Sequence, residues 1–319
     1  MRFAAAALAL ALAALSCLAQ EAPYPSKPIR IVVGYSAGGG NDLIARVIGP
    51  HMSESLGQPI IIDNRPGAQS IIAAEIVAKS APDGYTLLMG PSGPMTINPA
   101  TYSKLPYSSP RDFAPIGIIC SFPLIVVVNP ELPVRSIKEL IAYGKANPEK
   151  ANYASSAGIF QIATELFKQK TGTPFEMISY KGSGESVQAV AAGQVTTTFV
   201  DPAPVTGALK AGTVRGLAVT SAKRHPSWPD LPTLVELGMP EMEVPVWAAL
   251  FAPAKTPPAI VARLQKEIAR VVHLPDIKER FAALGVDPVG GSTEELARQV
   301  AHDIEKWTAV ARAAGIRND

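Results

Sequence analysis

Hydroxyls and glycines gather in a few short turns of this chain, each set between an apolar run and a helical pattern. The first reads Tyr35-Ser36-Ala37-Gly38-Gly39-Gly40-Asn41-Asp42, the second Ala154-Ser155-Ser156-Ala157-Gly158, and the third Tyr180-Lys181-Gly182-Ser183-Gly184. Ser92 follows the apolar run 85–89 in the same way. A strand, a Gly- or Ser-rich turn and a helix together present backbone N–H groups and small hydroxyls to an anion, and the helix dipole adds to the attraction. The chemistry on offer is recognition of a phosphate, an oxyanion or a carboxylate.

The nucleotide loops fit poorly. A dinucleotide fingerprint needs G-x-G-x-x-G, whereas Gly38, Gly39 and Gly40 are contiguous and the third fingerprint glycine is missing, although Asp63 does end the next strand. A phosphate-binding loop of the G-K-[ST] type needs a lysine, and none occurs between Lys27 and Lys79. A purely structural turn would not require three glycines in a row, given their cost in backbone entropy. Close approach of a ligand is the favoured reading.

Acyl transfer is the main alternative. Ser156 lies in an A-x-S-x-G turn, a near miss to the G-x-S-x-G nucleophile elbow, and an exported serine hydrolase would use it with a later acid and histidine. His225, His273 and His302 are formally available, but none sits in a distinctive loop after a strand and no HGGG-type oxyanion segment occurs. Lys181 is either a charge partner for the anion or a solvated lysine on a rim. The four histidines, with His51, show no HExxH spacing, and there is no CxxC or Asp-rich calcium loop. No metal and no cofactor are expected.

Elements that could position these turns alternate along the chain. Strand-like runs at 29–34, 60–62, 85–89, 116–120, 124–128, 152–154, 175–178, 195–200, 214–220 and 247–251 are separated by helical patterns, among them the segment after Asp42. Gly49-Pro50 should kink or shorten that helix. The Pro/Ser-rich stretch 91–112 should wrap the surface. Three helices close the chain, and the stripe Leu296, Val300, Ile304, Trp307 and Val310 in the last is core packing. Such alternation implies an α/β fold with mainly parallel sheets flanked by helices. A restart near 125 and a Pro-rich break ending near 245 imply two lobes. Residues 23–124 and 246–319 would form lobe 1, and 125–245 lobe 2, with a ligand cleft and a hinge between them.

The N-terminus sets the compartment. Arg2, the Ala/Leu run 4–15 and small residues near Ala19 and Ala22 read as a cleaved export signal over residues 1–22. Leu15-Ser16-Cys17 loosely resembles a lipobox but lacks leucine at the third position before Cys17, so lipid anchoring is the lesser reading. Cys120 is then the lone thiol, in an apolar run where burial is expected. Formal charge is +2 with 18% charged residues and no basic block, which argues against nucleic acid. Nothing in the chain argues against a monomer.

Taken in order, "YPSKPIRIVVGYSAGGGNDLIARVI", "GQPIIIDNRPGA", "APDGYTLLMG", "YKGSGESVQAVAAGQV", "VRGLAVTSAKRHPSWPDLPTLVELG" and "FAPAKTPP" resemble the Bug family, the extracytoplasmic receptors of tripartite tricarboxylate transporters. The resemblance runs from Tyr24 to the C-terminus. It implies a periplasmic-binding-protein fold of type II, in which two lobes close on a small organic acid or amino-acid-like carboxylate. It also implies delivery of the ligand to membrane permease subunits. The matching binding positions are Tyr35, Ser36, Ala37, Gly39 and Asp42 in the first turn. In the second lobe they are Ser155, Ser156, Ala157, Tyr180, Lys181, Gly182, Ser183 and Asp201, the last near the ligand's distal end. Ser36-Ala37 stands where the family carries prolines, the loop "SSAGIFQ" is shorter than usual, and Gln161 replaces a common histidine. Phe199-Val200-Asp201 replaces a more frequent Phe-Asp-Asn. The fold transfers; the identity of the ligand does not.

Overall fold

A computed structural model describes residues 24–244 and 246–317. The stretch expected to be an export signal, Cys17 within it, and Pro245 lie outside the described residues. Among those described, the strands form two sheets. One has the order β11-β4-β10-β3-β1-β2 and the other β7-β6-β8-β5-β9. The first contains β1 (Ile29–Val33), β2 (Ile60–Asn64), β3 (Thr86–Pro91), β4 (Phe113–Phe122), β10 (Val246–Pro253) and β11 (Asp287–Pro288). The second contains β5 (Ile125–Val128), β6 (Asn152–Ser155), β7 (Glu176–Ser179), β8 (Thr197–Val200) and β9 (Arg215–Val219).

The sheets are mixed rather than mainly parallel. β1 runs parallel to β2 and β3, and β6 to β7 and β8, as βαβ crossovers require. The strands that enter a sheet straight from the other one run against their neighbours: β5 against β8 and β9, β10 against β3 and β4. Both are unbroken apolar runs with every residue buried, as strands covered on both faces must be. Alternation of elements does not reveal strand direction at such a crossing.

The crossings are tied together by one side chain. Thr220, fully buried, donates its hydroxyl to the Val244 carbonyl at 3.0 Å and accepts the Leu124 N–H at 2.9 Å. Its own N–H meets the Leu124 carbonyl, and its carbonyl accepts from Val244.

Two local expectations fail for packing reasons. Helix α1 (Gly40–Leu56) runs through Pro50, because Ile44, Ile48, Met52 and Leu56 bury one continuous face on the core. The bond that Pro50 cannot give to Arg46 is lost without a break. After helix α2 (Ile71–Ala78), the stretch from Pro91 to Asn98 is buried rather than on the surface. It forms a wide turn, Gly93–Ile97, leading into the short helices α3 (Asn98–Thr101) and α4 (Ser109–Asp112). Met95 and Ile97 anchor it, and Tyr107 donates to the Pro94 carbonyl at 2.6 Å. Cys120 is buried as expected, and burial pushes its thiol well above the ordinary value.

The remaining helices are α5 (Ile137–Ala146), α6 (Gly158–Thr171), α7 (Ser183–Ala191), α8 (Pro202–Lys210), α9 (Pro258–Val271), α10 (Pro275–Leu284) and α11 (Thr293–Ala314). No helix among the described residues is long and apolar enough to cross a membrane.

Candidate ligand-binding cleft

Each of the singled-out turns leaves the C-terminal end of a strand and opens a helix or tight turn. Helices α1, α6, α7 and α8 begin behind Gly39, Ala157, Gly182 and Asp201, and none of these residues caps its helix with a side chain. Glycine and alanine have no side chain able to do so. The first-turn N–H groups of α1, α6 and α7 thus get no cap from the residue before the helix.

The turns of the two sheets meet. Ser36 donates its N–H to the Lys181 carbonyl at 3.4 Å and its hydroxyl to Glu185 Oε1 at 2.8 Å. Gly40 donates its N–H to Ser183 Oγ at 3.3 Å, and Gln69 Nε2 donates to Gln161 Oε1 at 3.1 Å. Close approach explains the glycines. A Cβ on Gly40 would lie 1.6 Å from Asp201 Oδ2, and one on Gly182 would lie 3.1 Å from Ser36 Cβ. The lobes are closed on one another.

Inside this closure sits a set of buried polar atoms without hydrogen-bond partners: Tyr35 OH, Ser92 Oγ, Ser156 Oγ, Gln69 Oε1, Asn98 Oδ1 and Asp201 Oδ2. Buried polar atoms are almost always paired with protein or water, so these are candidate partners for an external molecule. Proximity supports this. A Cβ on Gly93 would lie 3.2 Å from Tyr35 OH, 3.9 Å from Gly158 N and 4.0 Å from Ala157 Cβ. Burial, with Tyr107 and Asp201 nearby, raises the Tyr35 phenol above its ordinary value, which keeps it a proton donor.

Asp42 does a different job. Its carboxylate accepts from Gly38 N at 2.9 Å, Arg46 Nε at 2.9 Å and Asn64 Nδ2 at 3.0 Å. Burial alone would raise its pKa, but these hydrogen bonds and the Arg46 charge outweigh it and hold the carboxyl below the ordinary value. Asp42 therefore fixes the glycine turn, in which Gly38 takes a φ of +79°. Among the described residues Asp201 has no ion-pair partner. Burial pushes its pKa up to about 6, against lowering by the Ser183 hydroxyl and its own N–H.

Of the other expected positions, Ser155 donates to the Ala157 carbonyl at 3.2 Å and shapes the second turn. Ala37 and Lys181 are exposed, and Tyr180 is half-buried. Lys181 meets the other lobe through its carbonyl. Ser156 has no base within hydrogen-bond reach, although a nucleophilic serine needs one. His225 instead stacks on Trp228 and faces Asp287 at 3.4 Å. Among the described residues no group of three His, Cys, Asp or Glu could hold a metal ion.

Sequence reasoning missed Gln69, Asn98, Gly93 and Glu185. Gln69 is held by a backbone that propensity does not reveal: Ala68, Gln69 and Ser70 have φ of 44°, 51° and 69°. Left-handed non-glycine residues each cost on the order of 1–3 kcal/mol and cluster at functional sites. Asn98 lies in the Pro/Ser-rich stretch 91–112, expected from the sequence to wrap the surface.

Two α/β lobes joined by paired crossings and closed over unsatisfied donors define a solute-binding receptor. The family model for the tripartite tricarboxylate transporter family receptor matches residues 44–316, and the chain belongs to that family. It is 36% identical over 297 residues to the protein BugT of Bordetella pertussis, covering 92% of this chain and 91% of that one. Among solved structures, Rpa4515 of R. palustris with adipate superposes with a TM-score of 0.89 at 36% identity, covering 92% of this chain and 99% of that one. MatC of Rhodopseudomonas palustris with bound malate gives 0.87 at 31% identity, covering 90% and 99%. The resemblance to Bug receptors read from the sequence is met, as is the two-lobe α/β architecture.

Proposed function

We propose that this receptor captures a small carboxylate by closing its lobes. The observation that carries the reading is the convergence of uncapped helix starts and partnerless hydroxyls inside a closed cleft. Ser92, Ser156 and Tyr35 donate to the carboxylate, and the starts of α1, α6 and α7 add N–H groups and their dipoles. Each such contact contributes on the order of 1 kcal/mol net. Ser36, Ala37, Gly39, Gly182 and Ser183 form the clamp, Asp42 and Ser155 shape it, Tyr180 and Lys181 lie at its rim, and Asp201 bounds its far side. Ligand binds the closed form more tightly and so draws the hinge equilibrium toward it.

Lobe 1 comprises residues 23–124 and 246–319, and lobe 2 residues 125–245. The division of strands between the two sheets supports these bounds. The mature receptor works as a monomer in the periplasm after loss of residues 1–22, and hands its ligand to the permease subunits of a tripartite transporter. Adipate and malate, bound by two of its structural relatives, exemplify the ligand class. It performs no reaction on the ligand. Mass spectrometry of the denatured, unamended protein should release a small organic acid, and thermal-shift screening across carboxylates should show stabilisation. Flat traces across mono-, di- and tricarboxylates and amino acids would contradict the reading. Labelling by a fluorophosphonate, lost in Ser156→Ala, would contradict the absence of catalysis.

A further inference from the structure

Two side-chain oxygens converge beside the start of α6 with nothing to bond them. A Cβ on Gly158 would lie 2.9 Å from Gln69 Oε1 and 3.1 Å from Asn98 Oδ1. Neither oxygen has a partner. The orientation of Asn98, which is fully buried, is fixed by its neighbours. Its Nδ2 donates to the Gln69 carbonyl at 3.1 Å and to the Tyr107 hydroxyl at 3.3 Å. That hydroxyl already gives its proton to the Pro94 carbonyl, so it must accept from Asn98. The end left facing Gly158 is therefore the oxygen. Gln69 gives its amide nitrogen to Gln161 of the opposite lobe, which turns its own oxygen to the same place. The left-handed backbone at 68–70 holds that geometry against its natural preference.

An acceptor pair cannot hold a carboxylate, because oxygen lone pairs face one another. It satisfies a donor. The same Gly158 backbone borders the hydroxyls of the cleft: its N lies 3.9 Å from the Cβ position of Gly93, itself 3.2 Å from Tyr35 OH. Donors for an anion and acceptors for a donor thus border the same Gly158 backbone.

We infer that the ligand carries a hydrogen-bond donor, a hydroxyl or an ammonium, on the carbon next to its bound carboxylate, and that Gln69 and Asn98 select for it. The receptor would then take hydroxy or amino acids in preference to the unsubstituted acids of the same length. This rests on the carboxylate reading above. A buried acceptor pair left facing a methylene is penalised, so discrimination comes from rejection of the unsubstituted acid as much as from attraction of the other.

Calorimetric titration of the full mature chain with matched sets tests this: propionate, lactate and alanine at one length; succinate, malate and aspartate at another. A member bearing the donor should bind at least tenfold tighter than its unsubstituted counterpart, and whether hydroxyl or amine wins identifies the donor. Equal or tighter binding of the unsubstituted acid at every length that binds would overturn the inference alone. Binding by no member of either set would overturn the inference, and only flat thermal-shift traces across all carboxylates would overturn the carboxylate reading with it. In Gln69→Met the ratio of affinities between the donor-bearing acid and its unsubstituted counterpart should fall severalfold. An equal loss for both members would mean that Gln69 serves only closure, and would remove it from the selecting pair.

Discussion

Two capped helix starts contrast with those that open onto the cleft, although α9 and α10 also begin without a side-chain cap, behind Pro257 and Leu274. At α11, Ser292 accepts the Glu295 N–H at 3.1 Å and Glu295 accepts the Ser292 N–H at 2.7 Å, a complete capping box. At α5, Ser136 accepts from Glu139 at 3.2 Å. Both lie away from the cleft. The helices that open onto it start behind glycine, alanine or an aspartate turned elsewhere. The same four-residue problem of unpaired N–H groups is met by a serine cap at α5 and α11, whereas at the cleft the residue before each helix caps nothing and the Gly40 N–H turns to Ser183 of the other lobe. Fold stability and ligand affinity are thus drawn from one kind of group, and each can be altered without the other.

The largest contrast should come from close approach. Gly40→Ala places a methyl on Asp201, so closure fails and ligand affinity in calorimetry should fall about a thousandfold, roughly 4 kcal/mol, with the circular dichroism spectrum unchanged. An Asp201→Asn variant acts next. The folded pKa of about 6 stands above the ordinary 3.8, so the folded state binds the extra proton between those values. The stabilisation is fully present below the ordinary value and is lost as pH rises through about 6. Asparagine should flatten the fall in melting temperature over that window and raise stability at pH 7 by on the order of 2–3 kcal/mol.

Ser292→Ala removes a cap far from the cleft. It should lower stability by about 1 kcal/mol in urea melts and leave ligand affinity unchanged. Ala157→Ser runs the comparison in reverse. A hydroxyl at the start of α6 caps its own helix, so stability should rise by about 0.5 kcal/mol while carboxylate affinity drops a few-fold. A serine here that strengthened binding would remove the distinction between the two kinds of helix start.

Much of this was legible in the residues because the relevant signals are local. Glycines before Asn41, before Ser183 and after Ala157 mark turns whichever fold surrounds them, and the apolar runs of β5 and β10 mark buried strands. Direction was not legible. β5 and β10 run antiparallel because they cross between lobes, which periodicity does not record. Pairings across the closure, such as Ser36 with Glu185 at 149 residues' separation, are set by tertiary packing alone. Gln69 was invisible for a further reason: its left-handed backbone is imposed by its surroundings, and no propensity points to it. Asp42 is a binding position by resemblance, and the sequence did not show that Gly38, Arg46 and Asn64 all bond its carboxylate.

The central claim is that neutral donors at uncapped helix starts bind an anion. Titrating the receptor with its best carboxylate and with the corresponding primary amide, identical in shape but uncharged, tests that claim directly. Submicromolar or micromolar binding of the acid with a loss of at least a hundredfold for the amide is the expected result. Equal affinities for the two would contradict the account.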